Sequence, residues 1–123
     1  MTAWKHYTIA HISTVIGTRN DCNIECQLLL GRVSTGRSRV HFGYFLRLKF
    51  EEEDFYFESS SYYRALLEMA KYIRKFGLEL PVYGLHESFY QSGLSADSKY
   101  GYISGTMEPV IMICQIDVNG ETL

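Results

Sequence analysis

The sequence predicts an α+β fold, in which a curved antiparallel sheet of about five or six strands packs on one main helix, about residues 60–76. Only one stretch of the 123-residue chain has apolar residues at sustained three- and four-residue steps. Stretches with the two-residue alternation of β-strands precede and follow it. A helix with such a wide apolar face must bury that face, and we expect it to pack against a sheet formed by the other stretches. The alternative is a half-open barrel around the same helix. At this length we expect a single domain, residues 1–123.

The predicted helix has start and stop signals. Ser60 or Ser61 can accept a hydrogen bond from the free N–H groups of the first turn, and Gly77 can take the left-handed conformation that ends a helix. Only a narrow stripe of the helix is polar. This stripe consists of Arg64, Glu68, Lys71 and Lys75. Glu68 precedes Lys71 by about one turn, a spacing that favours an ion pair.

Two long strands are predicted at the start of the chain. Residues 4–16 are rich in β-branched and aromatic residues, and neither face of this first strand is clearly polar. Residues 17–21 combine glycine, asparagine and aspartate and predict a turn. The second strand, residues 24–33, has apolar residues on one face and Glu25 and Gln27 on the other.

The third strand has the clearest alternation in the chain. Every second residue between 40 and 50 is apolar, whereas Arg47 and Lys49 lie on the opposite face. A short polar loop joins it to the second strand, so the two should pair antiparallel. Residues 51–54 predict a turn into a fourth strand, residues 55–58, which ends at the helix.

The region after the helix is the least regular. Residues 78–98 are interrupted by proline and glycine, and one short helix fits within residues 84–94. Residues 100–103 predict a short strand. Residues 109–118 predict the last strand, and because its first half is apolar on both faces, we expect it to be a central strand covered on both sides.

Composition and charge argue against several classes of protein. Hydrophobic residues make up 46% and charged residues 21%, values typical of a globular rather than a disordered chain. The formal net charge of −2 argues against an overall basic footprint for nucleic acid. No apolar run approaches the roughly 18 residues of a membrane span, and the first residues lack the apolar core of a secretion signal. We therefore expect a cytoplasmic protein that binds neither nucleic acid nor membranes directly.

The histidines and cysteines do not form a recognisable metal site. His6 and His11 are five positions apart on one predicted strand, so we expect them on opposite faces. Cys22 and Cys26 lack the second pair of ligands that a structural zinc site needs. Cys26 and Cys114 fall on the apolar sides of their strands, where a thiol acts as a small hydrophobic group. We expect no metal and no cofactor.

Two groups of residues are candidates for binding a partner. The first is an acidic run, which is either a solvated turn or a patch that docks on a basic surface. It consists of Glu51, Glu52, Glu53 and Asp54. The second group lies in or beside the irregular region, where tyrosine combines a large apolar body with a polar tip. It consists of Tyr83, His86, Tyr90, Tyr100 and Tyr102.

A catalytic interpretation and a structural one remain open beside binding. No hydrolase, phosphate-binding or dinucleotide-binding motif is present. His86 with Glu87, or His11 with a carboxylate from another strand, would supply acid–base chemistry in a pocket between sheet and helix. An adaptor that pairs with its partner through a sheet edge is the third possibility.

A small α+β chain with an acidic cluster, many tyrosines and no catalytic motif resembles bacterial immunity proteins. In composition and element order the whole chain is similar in particular to the cognate immunity proteins of contact-dependent growth inhibition systems. The resemblance implies a tight one-to-one complex with a toxin domain, commonly a nuclease, whose active site is blocked or whose neighbouring surface is held. It thus predicts a non-catalytic inhibitor whose partner is a basic, nuclease-type toxin domain. The alternative is a small ligand-binding or enzymatic domain with a pocket between sheet and helix.

Overall fold

Two sheets and one main helix make up the computed structural model, which describes residues 5–35, 42–93 and 98–116. The elements, in chain order, are β1 Lys5–Arg19, β2 Cys22–Thr35, β3 Phe42–Phe50, β4 Glu53–Ser59, α1 Tyr62–Ile73, β5 Leu78–Glu79, β6 Phe89–Tyr90, β7 Tyr100–Ile103 and β8 Val110–Ile111. The main sheet is antiparallel, has the order β4-β3-β2-β1-β5 and curls into a half-barrel. A small sheet has the order β6-β7-β8. The predicted α+β fold, a curved antiparallel sheet on one main helix, is confirmed.

The helix begins and ends near its predicted signals. Ser61 precedes the first turn, and its side-chain oxygen accepts a hydrogen bond from the N–H of Arg64 at 3.1 Å. A short 3₁₀ turn, Arg74–Phe76, follows α1. Gly77 comes next with a φ of 69°, in the left-handed region that favours glycine. The chain then enters β5.

The space between the helix and the main sheet is filled by apolar side chains. We call the sheet face that contacts α1 the inner face, and the opposite one the outer face. Side chains from the helix and from the inner face meet in one cluster with no solvent exposure. They include Leu28, Leu46, Leu48, Leu66 and Met69. These positions have the three- to four-residue helical step and the two-residue strand step from which the fold was predicted.

The first hairpin is longer than predicted. β1 continues to Arg19, so the predicted turn is confined to its last two residues, Asn20 and Asp21, whose φ angles are 53° and 63°. Two residues with positive φ suit the tight loop between β1 and β2. Gly17 belongs to the strand, and a Cβ there would lie 2.8 Å from the carbonyl oxygen of Glu79. Glycine at this position therefore permits the close approach of β5.

A bulge at Ala10 changes which residues of β1 share a face. Ile9 and His11 pair with consecutive residues of β2, so Ala10 is an extra residue in the strand. As a result, His6 and His11 both pair with residues whose side chains belong to the inner face of β2. The prediction that these two histidines face opposite ways is wrong, because it assumed an unbroken alternation.

The prediction of a long last strand is also wrong. Val110 and Ile111 alone form β8, at the edge of the small sheet and not at the centre of a sheet. The chain then turns at Met112 and Ile113, which are both fully buried. A turn can bury two consecutive side chains that a strand would place on opposite faces, which explains the apolar character of both faces. Residues 117–118 lie outside the described residues.

The region between α1 and β7 contains little regular structure. The short helix predicted within residues 84–94 is limited to a 3₁₀ turn, Tyr83–Leu85, followed by β6; residue 94 lies outside the described residues. Hydrogen bonds fasten the chain that follows β6 to β1. They join Ser13 Oγ to the carbonyl of Ile113, Lys99 Nζ to the carbonyl of Ala10, and the N–H of Ile16 to Oε1 of Gln115.

Candidate binding surface

The outer face of the main sheet carries apolar side chains that no element of the described chain covers. The strand register places Ile9, Gly31 and Phe45 side by side across β1, β2 and β3. The next row contains Ile12, Leu29, Arg47 and Tyr56. We call the apolar members of this surface the outer patch. It consists of Tyr7, Ile9, Ile12, Leu29, Phe45 and Tyr56.

Phe45 is the centre of the outer patch. Its ring lies over Gly31, where an added Cβ would come within 2.6 Å of two ring carbons. Tyr7 meets the ring edge-on at 5.7 Å between centroids, and Tyr56 stacks on it at 5.3 Å. Phe45 is therefore only 4% exposed, whereas Tyr7 and Ile9 remain 55% and 56% exposed. The patch is an ordered aromatic cluster with a solvent-facing rim.

A groove of about 700 Å³ runs across the outer patch. An ion pair borders it, in which Arg47 donates from Nε and Nη2 to the two carboxylate oxygens of Asp54 at 2.8 and 2.6 Å. This pair lowers the pKa of Asp54 and raises the pKa of Arg47. Both residues are exposed, so a partner that enters the groove meets an apolar floor and one fixed pair of opposite charges.

The phenol of Tyr56 is held in place at the rim of the groove. Its hydroxyl donates to Oε1 of Glu58 at 2.8 Å. Partial burial of the phenol, together with this bond and the charge of Glu58, raises the pKa of Tyr56. The side chain therefore stays a neutral phenol, and its ring keeps the stacked position on Phe45.

The acidic run predicted as a binding patch is divided between a turn and a strand. Glu51 and Glu52 form the turn, and β4 already begins at Glu53, so the turn is shorter than predicted. Glu51 pairs with Arg19 at 3.3 Å, and Asp54 is the residue that pairs with an arginine beside the groove. Glu52 and Glu53 are exposed and make no ion pair in the described part of the chain. Half of the acidic charge at this turn is therefore balanced by arginine.

The second predicted group collects around the small sheet. Tyr90 and Tyr102 pair across β6 and β7, with ring centroids 5.8 Å apart. Tyr90 and Tyr100 are exposed, and Tyr83 and Tyr102 are partly buried. His86, also partly buried, accepts a hydrogen bond at Nδ1 from the N–H of Ser88. The structure thus brings the aromatic members of this group into one region.

The acidic run and the tyrosines do not lie side by side. Phe55, next to the acidic run, contacts Phe76 beyond the last turn of α1. Phe89, next to Tyr90, contacts Tyr63 in the first turn. About 18 Å of helix separates the two regions. They are two separate candidate sites, and their role in binding stays a prediction.

His11 contacts a thiol, and it forms no ion pair with a carboxylate of the described chain. Its Nε2 lies 3.5 Å from Sγ of Cys114. Burial lowers the pKa of His11, with a smaller effect of Lys99, and burial raises the pKa of Cys114. A nucleophilic cysteine needs a lowered pKa, so this geometry favours a neutral contact that fastens the C-terminal region to β1.

The described ranges, 5–35, 42–93 and 98–116, contain no cluster of histidine, cysteine, aspartate and glutamate that could hold a metal ion. Within them, no helix has the length and apolar content needed to cross a membrane.

The sequence contains a signal for the outer patch. The first strand had no clearly polar face, which is consistent with apolar residues on both sides of the sheet. Leu29 follows the polar residues Glu25 and Gln27 on one face of β2, and Phe45 shares a face of β3 with Arg47 and Lys49. Taken singly, these positions resemble the scattered apolar residues of an ordinary surface; the register of four strands brings them together with the other members of the patch.

Comparison of the chain with protein-family models, curated proteins and solved structures found no match.

Proposed function

We propose that this protein is a non-catalytic binding protein of the bacterial cytoplasm that neutralises a toxin domain by tight one-to-one binding through the outer patch. The observation that carries the proposal is the exposed aromatic surface around Phe45. The largest contiguous apolar patch on the surface of a folded monomer often serves a function, such as binding a partner. Here the surface stands on a curled sheet whose other face is a filled core, so it is presented on a rigid support.

The composition of the outer patch suits a protein partner. Tyrosine and arginine are the side chains that most often dominate interface energetics, and both border the groove through Tyr7, Tyr56 and Arg47. The rings of Tyr7 and Tyr56 already contact Phe45, so little conformational entropy remains to be lost when a partner packs on them.

Two observations favour a toxin domain as the partner: the resemblance to immunity proteins and the charge at the border of the outer patch. The acidic run begins at the end of β3 and reaches the groove at Asp54, so it lies at one border of the outer patch. Glu52 and Glu53, which make no ion pair with any described residue, add negative charge there. A nuclease-type toxin domain has a basic surface for its substrate, and an acidic border would steer the two proteins together.

The packing beneath the helix counts against the alternative of a pocket between sheet and helix. Side chains that would line such a pocket, among them Leu46, Leu66 and Met69, are fully buried against one another. The groove of about 700 Å³ lies on the other side of the sheet, open to solvent and bordered by a closed ion pair.

Co-expression with the protein encoded immediately upstream tests the proposed function. We expect a one-to-one complex on a sizing column and the loss of a toxic activity that the upstream protein shows when expressed alone. Persistence of that toxicity in the presence of this chain, or the absence of a complex, would overturn the proposal.

A further inference from the structure

We propose that the cleft between the outer edge of β4 and the exposed side of α1 binds an acidic segment of a partner polypeptide in an extended conformation. The site lies on the helix side of β4, whereas the outer patch lies on the opposite face of the sheet, and the proposal does not depend on the toxin-binding function. It rests on a free strand edge, an unneutralised basic row and an apolar floor, which all lie along the same cleft.

The first feature is the edge of β4. In the main sheet β4 is the terminal strand and pairs with β3 on one side only. No strand of the described chain pairs with its other side. Alternate residues of such an edge leave N–H and C=O groups free, and an added strand can satisfy them. The free edge runs from Glu53 to Ser59.

The second feature is a pair of depressions beside this edge. One has a volume of about 260 Å³ and lies between Phe57 and the second half of α1. The other, of about 500 Å³, reaches Ser59 and the first half of α1. Both are lined by Glu68 and Lys71, so they form one cleft along the helix.

The third feature is the charge of the cleft. Arg64, Lys71 and Lys75 line it and are exposed, and in the described part of the chain none of them makes an ion pair. The predicted pair between Glu68 and Lys71 does not form, so the single acid of the cleft does not neutralise the row. Lys75 instead lies 5.5 Å above the ring of Tyr72. In a chain with a formal charge of −2, this row is a local basic surface that complements an acidic ligand.

The fourth feature is the apolar floor between the charges. Leu67 and Tyr72 are 40% and 36% exposed, and the ring of Tyr72 contacts the partly buried Phe57 at 5.7 Å. A segment paired with β4 would point every second side chain toward this floor and toward the basic row. These helix-facing positions would therefore hold acidic and apolar side chains.

The acidic residues of β4 restrict which side chains the ligand can carry at its outer-facing positions. Asp54 and Glu58 point to the outer face, and the strand contains no basic residue. Asp54 is already paired with Arg47, so Glu58 is the charge that would repel an acid at an outer-facing position of a ligand, and we expect a neutral residue beside it. Glu53 and Glu58, which make no ion pair among the described residues, disfavour pairing of β4 with β4 of a second copy. The occupant is accordingly a different polypeptide, with acids on one side of an extended segment.

A pooled peptide set provides the direct test. Each peptide has about eight residues, the length of a typical strand, with Glu or Leu at odd positions and Thr or Val at even positions. A matched pool has Lys in place of Glu. We expect the full chain to retain peptides of the acidic pool selectively, to lose them at high salt, and to show slowed amide exchange in β4 when they are bound. The double variant K71E/K75E should weaken binding at least about tenfold, whereas K49E on the outer face should change it less than about twofold.

Several results would overturn this proposal but would not bear on the proposed toxin binding. They are equal retention of the two pools, unchanged binding by K71E/K75E, unchanged exchange in β4, or tighter binding of single-stranded RNA of similar length than of the acidic peptides. Failure of the toxin experiment would in turn leave this peptide test intact, since the two use different surfaces and different probes.

Discussion

The ring of Phe45 on β3 lies directly over Gly31 on β2, within 2.6 Å of the position that a Cβ would take. Because Gly31 has no side chain, the ring of Phe45, the most buried member of the outer patch, can pack against the backbone of β2. Tyr7 and Tyr56 then complete the cluster from β1 and β4. The outer face of the sheet thus carries a packed aromatic cluster, and Gly31 leaves the space that its central ring needs.

Replacing Gly31 by alanine should displace the Phe45 ring. The new methyl group would also lie 2.6 Å from the carbonyl oxygen of Thr8, which belongs to the backbone and cannot move aside cheaply. We expect G31A to lower the free energy of unfolding by about 1–3 kcal/mol, as overpacking does elsewhere. Urea unfolding, followed by circular dichroism, measures this free energy for the wild type and the variant. G93A is the matched control, because a Cβ at Gly93 has no neighbour within 4 Å; equal stability of the two variants would contradict the seating of Phe45.

Protonation of His11 should destabilise the fold at mildly acidic pH. Burial, and secondarily Lys99, lowers the pKa of His11 in the native state. The unfolded chain therefore takes up the proton first as the pH falls. The contribution of His11 to stability is complete above its ordinary pKa of 6.5 and is lost as the pH falls through the lower native value.

Unfolding free energies measured between about pH 8 and pH 4 should accordingly fall less steeply in H11N than in the wild type. K99M removes the smaller cause of the shift, so an imidazole titration by NMR should place the pKa of His11 nearer its ordinary value in that variant. A wild-type titration of His11 above its ordinary pKa would contradict the assigned environment.

The two acids of the acidic run that have no ion-pair partner in the described ranges should speed association with a basic partner. Glu52 and Glu53 carry this charge, because Glu51 and Asp54 are neutralised by Arg19 and Arg47. The double reversal E52K/E53K should lower the association rate constant about tenfold at low salt and reduce its salt dependence. Stopped-flow mixing with the toxin domain measures both.

The matched control for this reversal is E87K/E108K, which changes the net charge equally at two exposed positions away from the turn. Equal association rates for the two double variants would mean that only the net charge matters. The acidic run would then be a solvated turn, which is the other interpretation that its sequence allows.

The parts of the fold that were predictable from sequence are those with a strong local signal. Ser61, Gly77 and the apolar steps between them define α1 without help from the rest of the chain. The alternation around Leu46 and Leu48 defines the inner face of β3 equally well. In each case one element alone determines which side is buried.

The errors share a cause: a neighbour overrode the local pattern. The bulge at Ala10 shifts the alternation of β1 by one residue, and the residues of β1 alone do not predict it. Met112 and Ile113 have the pattern of a central strand, yet the chain turns there and packs against β1 through Ser13. The outer patch was missed for the same reason, since its members come from four strands whose register is a tertiary property.

Two pairs of tyrosines, each replaced by serine, show directly whether the toxin domain binds the outer patch. Y7S/Y56S removes the exposed rings of the outer patch, and Y90S/Y100S removes exposed rings of the small sheet. Isothermal titration should show that Y7S/Y56S weakens the complex at least about 100-fold while Y90S/Y100S changes it less than about threefold, with both variants folded by circular dichroism. Full affinity of Y7S/Y56S for the toxin domain would contradict binding through the outer patch. A loss of affinity in Y90S/Y100S alone would place the binding surface at the small sheet.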